Sequence, residues 1–537
     1  MIAQLSNLKL TSKSFSRSEL EAGLSLICAF FPETKVRIIE AAESWDSFNS
    51  APAASASDDK RDAADQLVLA RASVIEVEAA FSERPYSVTA SFYKEQIYAQ
   101  FNSRGTDQIK LNDEEIEAIL ASPKAGKETE RKVLLKHGLF HLLAQVTGHI
   151  PPWGILTGIR PSKILHRLND LGIEKAEAQR ILEKYYLIRE DKVRLLQKVV
   201  EIQRPFLKKI MAHPEQVAVY VGIPFCPTRC TYCSFPAYSL QRGREPLHAY
   251  LKGLYEEIRI TGAWMKETGC STSAFYMGGG TPTILTISEL TDLLQWIRKN
   301  IPMSEDLEFS VEAGRPDTLS KDKLQALREQ GVNRLSINPQ TMHNHTLKRI
   351  GRAHSVEDIV NIYALAREIP GWKINMDLIL GLPGESVHEI QESLQQIGEL
   401  KPDNLTVHVL SIKRGSKEHE AGLVQNLNGE MEDMQKSVLA SAQALGMHPY
   451  YLYRQKHIAG NLENIGFALP GAECSYNIGI MEERQSVIGL GAGASSKIIN
   501  PEDYSLVNLQ HPSNWQVYLE RWREIHQTRV MKLSIDK

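Results

Sequence analysis

The chain has 537 residues, 42% of them hydrophobic and 24% charged, and its 62 Lys and Arg against 65 Asp and Glu residues give a formal net charge of −3. This length predicts two or three domains of a globular protein, and the charge balance excludes a general attraction to nucleic acid or to an anionic membrane. Because no apolar run approaches the roughly 20 residues of a membrane-spanning helix and the N-terminus lacks the features of a secretory signal, we expect a cytoplasmic protein with no membrane span and no nucleic-acid partner.

The first 210 residues form a predicted N-terminal region of mixed, mostly helical character. A helical pattern covers residues 17–31, and residues 85–100 are partly typical of a strand. Residues 47–66 are rich in Ala, Ser and Asp and have little to bury, which indicates a flexible linker or insert. From residue 112 to about residue 210 the pattern predicts mostly helix.

One turn interrupts this helical stretch, at residues 151–162 (PPWGILTGIRPS). Pro and Gly force the turn around Trp153. We interpret it as a rigid corner that packs domains together, and contact of the Trp and a nearby Arg with a ligand is the alternative.

From residue 216 short apolar runs alternate with longer helical patterns. The runs predict strands at 217–223, 273–279, 307–312, 334–338, 374–380 and 405–410, and the patterns between them predict helices at 246–265, 288–300, 320–330, 356–367 and 388–400. Such alternation is typical of a parallel sheet covered by helices, because parallel neighbours need crossover connections.

Six such units are fewer than the eight of a closed barrel, so we predict an α/β fold with a partial (β/α)6 barrel. A doubly wound sheet is the alternative. The chain then divides into the N-terminal region 1–210, the barrel 211–414 and a mixed C-terminal region 415–537, which we expect to complete the active site.

Three of the six cysteines lie within eight residues, directly after the first predicted strand, in the order Cys226, Cys230 and Cys233. This clustering in a cytosolic chain argues against a disulfide framework and indicates metal binding or redox chemistry. Three thiolates can bind three irons of a cubane cluster and leave the fourth iron open for a small molecule. A structural zinc site with His248 or Cys270 as the fourth ligand is the alternative.

Polar and glycine residues follow the other predicted strands, at the end where parallel α/β folds place their sites. Glycines 278–280 precede Thr281 and would let the backbone approach a ligand and present N–H groups. Glu312 closes the third strand, Gln340 and Arg352 follow the fourth, and Asp377 lies within the fifth. Each residue alone has a plain structural explanation, but their common placement favours one site.

The whole set resembles the radical S-adenosylmethionine (SAM) superfamily and, within it, the oxygen-independent coproporphyrinogen III oxidase (coproporphyrinogen dehydrogenase) group. The segments that carry this resemblance are YVGIPFCPTRCTYCSF, YMGGGTPT, EFSVEAGRPD, GVNRLSINPQT, RIGRAH, NMDLILGLPGES and GLGAGASSK, which span roughly residues 217–500. PPWGILTGIRP and LYRQKHIAGNLENIGFALPG (452–471) are similar to the longer firmicute members of HemZ type. Residues 1–210 would then be their N-terminal extension.

The resemblance implies a radical SAM barrel whose cofactors are a [4Fe–4S] cluster with three Cys ligands and one or two molecules of S-adenosylmethionine. The implied reaction cleaves S-adenosylmethionine reductively, and the resulting radical takes a hydrogen atom from a substrate propionate. Two such rounds would convert coproporphyrinogen III to protoporphyrinogen IX in haem biosynthesis. The implied partners are a porphyrinogen or haem-type molecule and an electron donor such as flavodoxin or ferredoxin.

The resemblance also assigns roles to residues at matching positions. Cys226, Cys230 and Cys233 would bind the cluster. Tyr220, Gly279 and Glu312 match positions that hold the first S-adenosylmethionine, and Tyr220 and Glu312 are also the candidate catalytic residues. The positions that match the surroundings of a second molecule are Tyr232, Gly280, Thr281, Gln340, Arg352 and Asp377, with Ser411 and Ser495 matched by short segments only.

Two positions depart from the decarboxylase pattern. Gly222 stands where those enzymes have His, and Phe235 stands where they have a fourth Cys. Both departures bring the chain closer to the related haem chaperones. A haem chaperone that keeps the cluster but delivers haem is therefore the alternative function, and a zinc-stabilised binding module is a third possibility.

Overall fold

The computed structural model describes most residues from 148 to 535, and the gaps in that range are residues 159, 234–236, 241–242, 412–427 and 456–457. Before residue 148 it describes seven strands and scattered helical positions. The predicted linker, most of the predicted helix at 17–31 and Phe235 lie outside the described residues.

The chain divides into two compact units. The first comprises residues 1–196 with 454–462, and the second comprises residues 197–453 with 463–537. The three-region division derived from the sequence stays a prediction.

Two sheets and two short helices belong to the first unit. The strands are β1 (Asn7–Ser12), β2 (Lys35–Glu40), β3 (Leu67–Val68), β4 (Val74–Phe81), β5 (Arg84–Tyr93), β6 (Gln96–Asn102) and β7 (Thr106–Lys110), and the helices are α1 (Ser162–Asp170) and α2 (Lys175–Arg180), which continues as a π-helical turn at Ile181–Tyr185. β1 and β2 pair in parallel, whereas β3 to β7 form an antiparallel sheet in chain order. The strand character of residues 85–100 is confirmed by β5 and β6.

The turn at residues 151–158 is a packed corner. Trp153 has no exposed surface, and the Arg454 guanidinium lies 5.6 Å from the centre of its ring. Gly154 has a φ of +55°, and a Cβ there would lie 2.1 Å from Tyr186 O, so only glycine fits this position. The prediction of a rigid corner is confirmed, and its role in packing domains together stays a prediction.

The second unit contains one large open sheet. Its strands and two short flanking strands are β8 (Gln216–Ile223), β9 (Phe225–Cys226), β10 (Tyr238–Ser239), β11 (Ser271–Gly279), β12 (Met303–Glu312), β13 (Arg334–Ser336), β14 (Lys373–Leu380), β15 (Asn404–Val409), β16 (His448–Tyr453), β17 (Asn464–Ala468), β18 (Val487–Leu490), β19 (Ser495–Ile499) and β20 (Leu506–Gln510). The sheet order is β16-β17-β15-β14-β13-β12-β11-β8-β18-β19-β20. All six predicted strands are confirmed.

The six predicted strands stand in chain order and pair in parallel throughout. A doubly wound sheet reverses its strand order at a switch point, so that alternative is wrong for these strands. The partial barrel is confirmed, and residues of the C-terminal region extend it: β18 pairs in parallel with β8, and β17 and β16 add antiparallel strands beyond β15.

Helices connect the parallel strands. Those of the second unit and at its start are α3 (Glu190–Ala212), α4 (Glu245–Thr268), α5 (Ile287–Asn300), α6 (Lys321–Glu329), α7 (Asn344–Arg349), α8 (Val356–Glu368), α9 (Val387–Leu400), α10 (Asn428–Ala444), α11 (Ser475–Glu482) and α12 (Trp515–Ile535). The five predicted helices are confirmed by α4, α5, α6, α8 and α9. Three of them begin with capping boxes. In these, the side-chain oxygens of Thr286, Ser355 and Ser386 accept hydrogen bonds from backbone N–H groups in the first turn of the helix. Within the described residues, no helix combines the length and apolar character that a membrane crossing requires.

A buried charged cluster fastens α12 to α4. Glu257 and Arg529 have no exposed side-chain surface, and Arg529 Nη2 lies 3.5 Å from Glu257 Oε1. The Glu257 carboxylate also accepts hydrogen bonds from Tyr518 Oη at 2.7 Å and from the Gly491 N–H at 2.9 Å. His511 Nε2 lies 3.2 Å from the same carboxylate. Loss of either charge would leave the other buried and uncompensated.

Replacing Arg529 by Met should therefore destabilise the second unit by about 3–5 kcal/mol, because it leaves Glu257 buried without its cation. Arg521→Met is the matched control on the same helix, since the Arg521 side chain is 59% exposed. The control should change the free energy of unfolding by less than about 0.5 kcal/mol. Urea unfolding followed by tryptophan fluorescence measures both, and equal effects of the two changes would contradict the buried pairing.

Candidate active site

The three clustered cysteines lie at the carboxyl end of β8, where the sequence predicts them. Cys226 is on β9, which pairs in parallel with β10. Cys230 and Cys233 follow in a turn in which Cys233 N donates to Cys230 O at 3.3 Å. Burial raises the pKa of the Cys226 thiol to about 11. Such a thiol becomes a thiolate only when a metal or another cation compensates its charge.

The Gly-rich loop after β11 is seated on the cysteine loop by backbone hydrogen bonds. Gly280 N donates to Ile223 O and Thr281 N donates to Phe225 O, both at 2.8 Å. A Cβ at Gly280 would lie 2.6 Å from Phe225 O, so a side chain does not fit there. Thr281 Oγ1 also donates to Cys226 Sγ at 3.4 Å.

This arrangement corrects one expectation about the loop. The Gly279 N–H donates to Glu312 at 3.2 Å, so the N–H groups of Gly279, Gly280 and Thr281 all have partners within the protein. What the glycines offer a ligand is space rather than free donors, because backbone without side chains permits close approach.

One cleft at the carboxyl ends of these strands brings together nine of the predicted site residues. They are Cys226, Cys230, Tyr232, Cys233, Gly279, Gly280, Thr281, Glu312 and Arg352. The sequence reasoning missed other residues of the lining, which are Thr228, Arg229, Ala237, Gly314, Arg315 and Asn338. The thiols, the glycine loop and one carboxylate thus share a common space.

Glu312 is held in the cleft by donors from the neighbouring strand. Tyr276 Oη donates to Glu312 Oε1 at 2.8 Å, and a Cβ at Gly278 would lie 2.8 Å from the Glu312 carboxyl carbon. Burial, together with the nearby Asp377 carboxylate, raises the pKa of Glu312 to about 7. Its charge is therefore partial near neutral pH, and a bound ammonium group would favour the ionised form.

Tyr220 belongs to an aromatic stack beside the cleft, and the described lining does not include it. Its ring is 6.2 Å from that of Tyr276 at an interplanar angle of 15°, and Tyr276 in turn stacks on Tyr476 at 4.6 Å. Burial, reinforced by Glu312, raises the pKa of Tyr220 well above its usual range. The Tyr220 hydroxyl therefore stays protonated. Tyr276 was missed, although it lies two residues before Gly278 on the same strand.

Asp377 faces other polar side chains of the barrel interior. Asn375 Nδ2 donates to Asp377 Oδ1 at 2.7 Å, and His408 Nε2 lies 3.7 Å from Asp377 Oδ2. Tyr453 Oη lies 3.2 Å from His408 Nδ1. The sequence reasoning missed His408 and Tyr453, although strand alternation places His408 on the same face as Thr406. Asp377 thus already has protein partners.

Three further predicted residues do not line the described cleft. Gln340 is buried, has a φ of +68°, and donates from its backbone N–H to Asp377 O at 2.8 Å. Ser411 lies just beyond β15. Ser495 begins β19 and its hydroxyl donates to Asn508 on β20. The roles of these residues beside a second S-adenosylmethionine stay predictions.

Arg352 and Tyr232 contact each other within the lining. Arg352 Nη1 donates to Gly314 O at 2.7 Å and to Asn338 O at 2.9 Å, and Nη2 donates to Tyr232 Oη at 3.2 Å. These bonds join the segments that follow β12 and β13 to the cysteine loop, so Arg352 orders the cleft in addition to any contact with a ligand.

The donor set of the cleft fits a cubane cluster. In the described part of the chain, no group of three or more His, Cys, Asp or Glu side chains is arranged around a single metal position. A mononuclear zinc site needs that arrangement, whereas each thiolate of a cubane site binds a different iron. Asn338 is 9% exposed and its Oδ1 has no hydrogen-bond partner among the described residues, as expected where a bound ligand completes the bonding.

The suggested fourth zinc ligands are not beside the cysteine loop. Cys270 directly precedes β11 and so lies at the amino end of that strand, opposite to the cleft. His248 Nε2 lies 3.2 Å from Glu289 Oε1 near the start of α5. Neither residue is part of the cleft lining in the described chain.

Gly222 occupies a closely packed position. A Cβ there would lie 3.0 Å from Ala492 O and 3.5 Å from the Tyr220 ring. Tyr250 Oη donates to Gly222 O and accepts from Ala492 N at 3.1 Å, so the two backbones are held together. A histidine, which the resemblance associates with the decarboxylases, would require this segment to move.

Comparison with known proteins places this site in a family. The model described as the Radical SAM superfamily matches residues 220–397, which include all three clustered cysteines, Glu312 and Asp377. The chain is 42% identical over 406 residues to the oxygen-independent coproporphyrinogen-III oxidase-like protein HemZ of Bacillus subtilis (strain 168), covering 75% of this chain and 81% of that protein.

Two other similar proteins are a heme chaperone and a coproporphyrinogen III oxidase. The heme chaperone HemW of Bacillus subtilis (strain 168) is 34% identical over 286 residues, covering 52% of this chain and 71% of that protein. The solved structure of coproporphyrinogen III oxidase (HemN) from Escherichia coli, a radical SAM enzyme, matches with 24% identity and a TM-score of 0.48, covering 60% of this chain and 72% of that one.

Replacing Glu312 by Gln tests the burial of this carboxylate in the protein without cofactors. The pKa of Glu312 is about 7 in the folded state and 4.5 in the unfolded state. The buried carboxyl group therefore costs the unchanged protein no stability below pH 4.5, where it is protonated in both states. As the pH rises from 4.5 toward 7, the free energy of unfolding of the unchanged protein falls. The variant should therefore gain stability relative to the unchanged protein between pH 5 and pH 8, by up to about 3 kcal/mol. Urea unfolding at each pH measures this difference, and a difference independent of pH would contradict the buried carboxylate.

Proposed function

This chain belongs to the radical SAM superfamily, in the family of the oxidase-like protein HemZ, and from this premise we propose that it catalyses oxygen-independent oxidative decarboxylation of coproporphyrinogen III to protoporphyrinogen IX. Its cofactors are a [4Fe–4S] cluster and S-adenosylmethionine. The observation that carries the proposal is the single cleft in which three clustered thiols, a side-chain-free glycine loop and Glu312 meet.

We assign Cys226, Cys230 and Cys233 as ligands of three irons, with the fourth iron open for S-adenosylmethionine. When bound, the cluster and S-adenosylmethionine together supply the one-electron chemistry that removes a hydrogen atom from a substrate propionate. The protein's contribution is to bind, orient and exclude water. A cleft built from strand ends and buried aromatic rings serves all three tasks.

Glu312 is the residue we assign to the ammonium group of S-adenosylmethionine. Its pKa of about 7 means that a bound cation would draw it into the ionised form, which strengthens the pairing. Tyr276 and the Gly279 N–H hold the carboxylate in one orientation. Tyr220, kept protonated by burial, is available as a donor beside the same loop.

A second S-adenosylmethionine gains uneven support. Four of the residues assigned to it line the cleft, which supports their assignment: Tyr232, Gly280, Thr281 and Arg352. The other assigned residues do not line the described cleft, and only the resemblance supports their part in such a site. They are Gln340, Asp377, Ser411 and Ser495. The electron donor, such as flavodoxin or ferredoxin, and the cytoplasmic location are likewise proposals.

Delivery of haem without decarboxylation is the second candidate function. Two observations favour it: the 34% identity to the heme chaperone HemW, and the closely packed Gly222 at the position where the resemblance gives the decarboxylases a histidine. Both candidates use the same cluster, so they differ in what happens to the porphyrin.

Anaerobic incubation of reconstituted protein with coproporphyrinogen III, a reductant and S-adenosylmethionine separates these candidates. The enzyme should form vinyl-containing products, whose masses fall by one formic acid equivalent per decarboxylated propionate and are read by mass spectrometry. Tight one-to-one haem binding without any vinyl-containing product would reject the decarboxylase and support the chaperone.

Replacing Cys230 by Ala should remove the brown colour of the anaerobic protein and reduce S-adenosylmethionine cleavage more than about 100-fold, because even outer partners of metal ligands are worth 10–100-fold. Cys270→Ala is the matched control, since Cys270 lies at the opposite end of β11. The control should keep both colour and cleavage. Full cleavage by the Cys230 variant would rule out the ligand assignment.

A further inference from the structure

Arg315 is a buried arginine that the proposed function leaves without a role. It is 4% exposed and directly precedes the short helical turn Pro316–Thr318 that follows β12. Its Nε and Nη2 donate to the two carboxylate oxygens of Asp317 at 3.0 and 3.1 Å. Such a two-point pairing fixes the plane of the guanidinium and leaves Nη1 for another partner.

That remaining nitrogen is directed at the cysteine loop. Arg315 Nη1 donates to Thr228 O at 3.4 Å and contacts Cys230 Sγ at 3.9 Å. Nη2 also donates to Thr228 Oγ1 at 2.9 Å. Because a guanidinium stays charged at any ordinary pH, a permanent cation lies beside the sulfur of a buried cysteine.

Asp317 is itself held on its other side. His354 has no exposed side-chain surface and its Nδ1 lies 3.4 Å from Asp317 Oδ1. Although burial opposes ionisation, the contacts with His354 and Arg315 hold the pKa of Asp317 well below its usual range. His354, Asp317 and Arg315 thus form a fixed line of side chains that ends at the Cys230 sulfur.

Cys226 also accepts a hydrogen bond at its sulfur, but from a neutral donor. Cys226 Sγ accepts from the neutral hydroxyl of Thr281 at 3.4 Å. The hydrogen bond from Arg315 to a cysteine sulfur that the structure describes is therefore the one to Cys230. Hydrogen bonds from charged donors are roughly twice as strong as neutral ones.

We propose that Arg315 is a positioning residue that raises the reduction potential of the bound cluster by donating a charged hydrogen bond to the Cys230 sulfur. The inference rests on the cysteine assignment of the proposed function. Reduction adds negative charge to the cluster, so a fixed cation at a ligand sulfur stabilises the reduced form more than the oxidised form. The paired Asp317 carboxylate offsets part of this charge, but it bonds Nε and Nη2, whereas Nη1 is the nitrogen that contacts the sulfur. Water screens the charge only weakly because the guanidinium is buried.

The test replaces Arg315 by Gln and by Lys in the full-length protein, purified and reconstituted without oxygen. At a fixed solution potential, the ratio of reduced to oxidised cluster should fall about tenfold in Arg315→Gln, which corresponds to about 59 mV for one electron. Arg315→Lys keeps the charge but loses the two-point pairing, and it should restore part of this ratio. The readout is the electron spin resonance signal of the reduced cluster after equilibration with dithionite and redox mediators.

Arg334→Gln is the matched control, because Arg334 is also buried but lies at the amino end of β13, opposite to the end that carries the three clustered cysteines. It donates to the backbone oxygens of Ala472 and Glu473 at 2.9 and 3.2 Å, so its loss should weaken packing without changing the potential. Iron and sulfide contents measured on each variant show whether the cluster is intact.

An intact cluster with an unchanged potential in Arg315→Gln would overturn the inference, as would an equal shift in Arg334→Gln. Loss of the cluster from both Arg315 variants would overturn it too, since Arg315 would then serve to hold the loop. Absence of iron and sulfide from the unchanged protein is a different result, because it rejects the proposed function itself.

Discussion

Two backbone hydrogen bonds fix the part of the molecule on which the candidate active site depends. Gly280 N donates to Ile223 O, and Thr281 N donates to Phe225 O. These bonds hold the glycine loop against the end of β8 and the start of the cysteine loop. The approach is so close that a Cβ at Gly280 would meet the Phe225 backbone. The start of the cysteine loop is therefore positioned by backbone groups of two neighbouring parallel strands.

Ionisable side chains in the barrel interior are stabilised by hydrogen-bonding and charged partners on the same or neighbouring strands. Glu312 is satisfied by Tyr276 and the Gly279 N–H, and Asp377 by Asn375 with His408 nearby. Buried carboxylates without such partners would be too costly to retain. The interior is thus prepared for a polar, partly cationic ligand, which agrees with the sulfonium cofactor of the family.

The C-terminal residues complete the sheet next to the cysteine loop. β18 pairs in parallel with β8, and the segment after it packs on Gly222 so closely that a side chain at that position would meet Ala492 O. The buried pair of Glu257 and Arg529 holds the last helix over this region. Gly222, one of the two positions at which the chain departs from the decarboxylase pattern, is therefore packed by residues far from the cysteines in sequence.

The sequence by itself determined the strands and helices of the barrel and singled out the three cysteines that we propose as cluster ligands. Apolar runs of strand length alternating with helical periods gave the six parallel strands and five helices, because such patterns are local, and the spacing of Cys226, Cys230 and Cys233 is local as well. Only the tertiary structure decided that the glycine N–H groups are engaged within the protein, that β18 stands beside β8, and that Arg315 reaches a cysteine 85 residues away. These contacts join distant residues, and they are fixed by packing and by the need to pair buried polar groups, which no local period encodes.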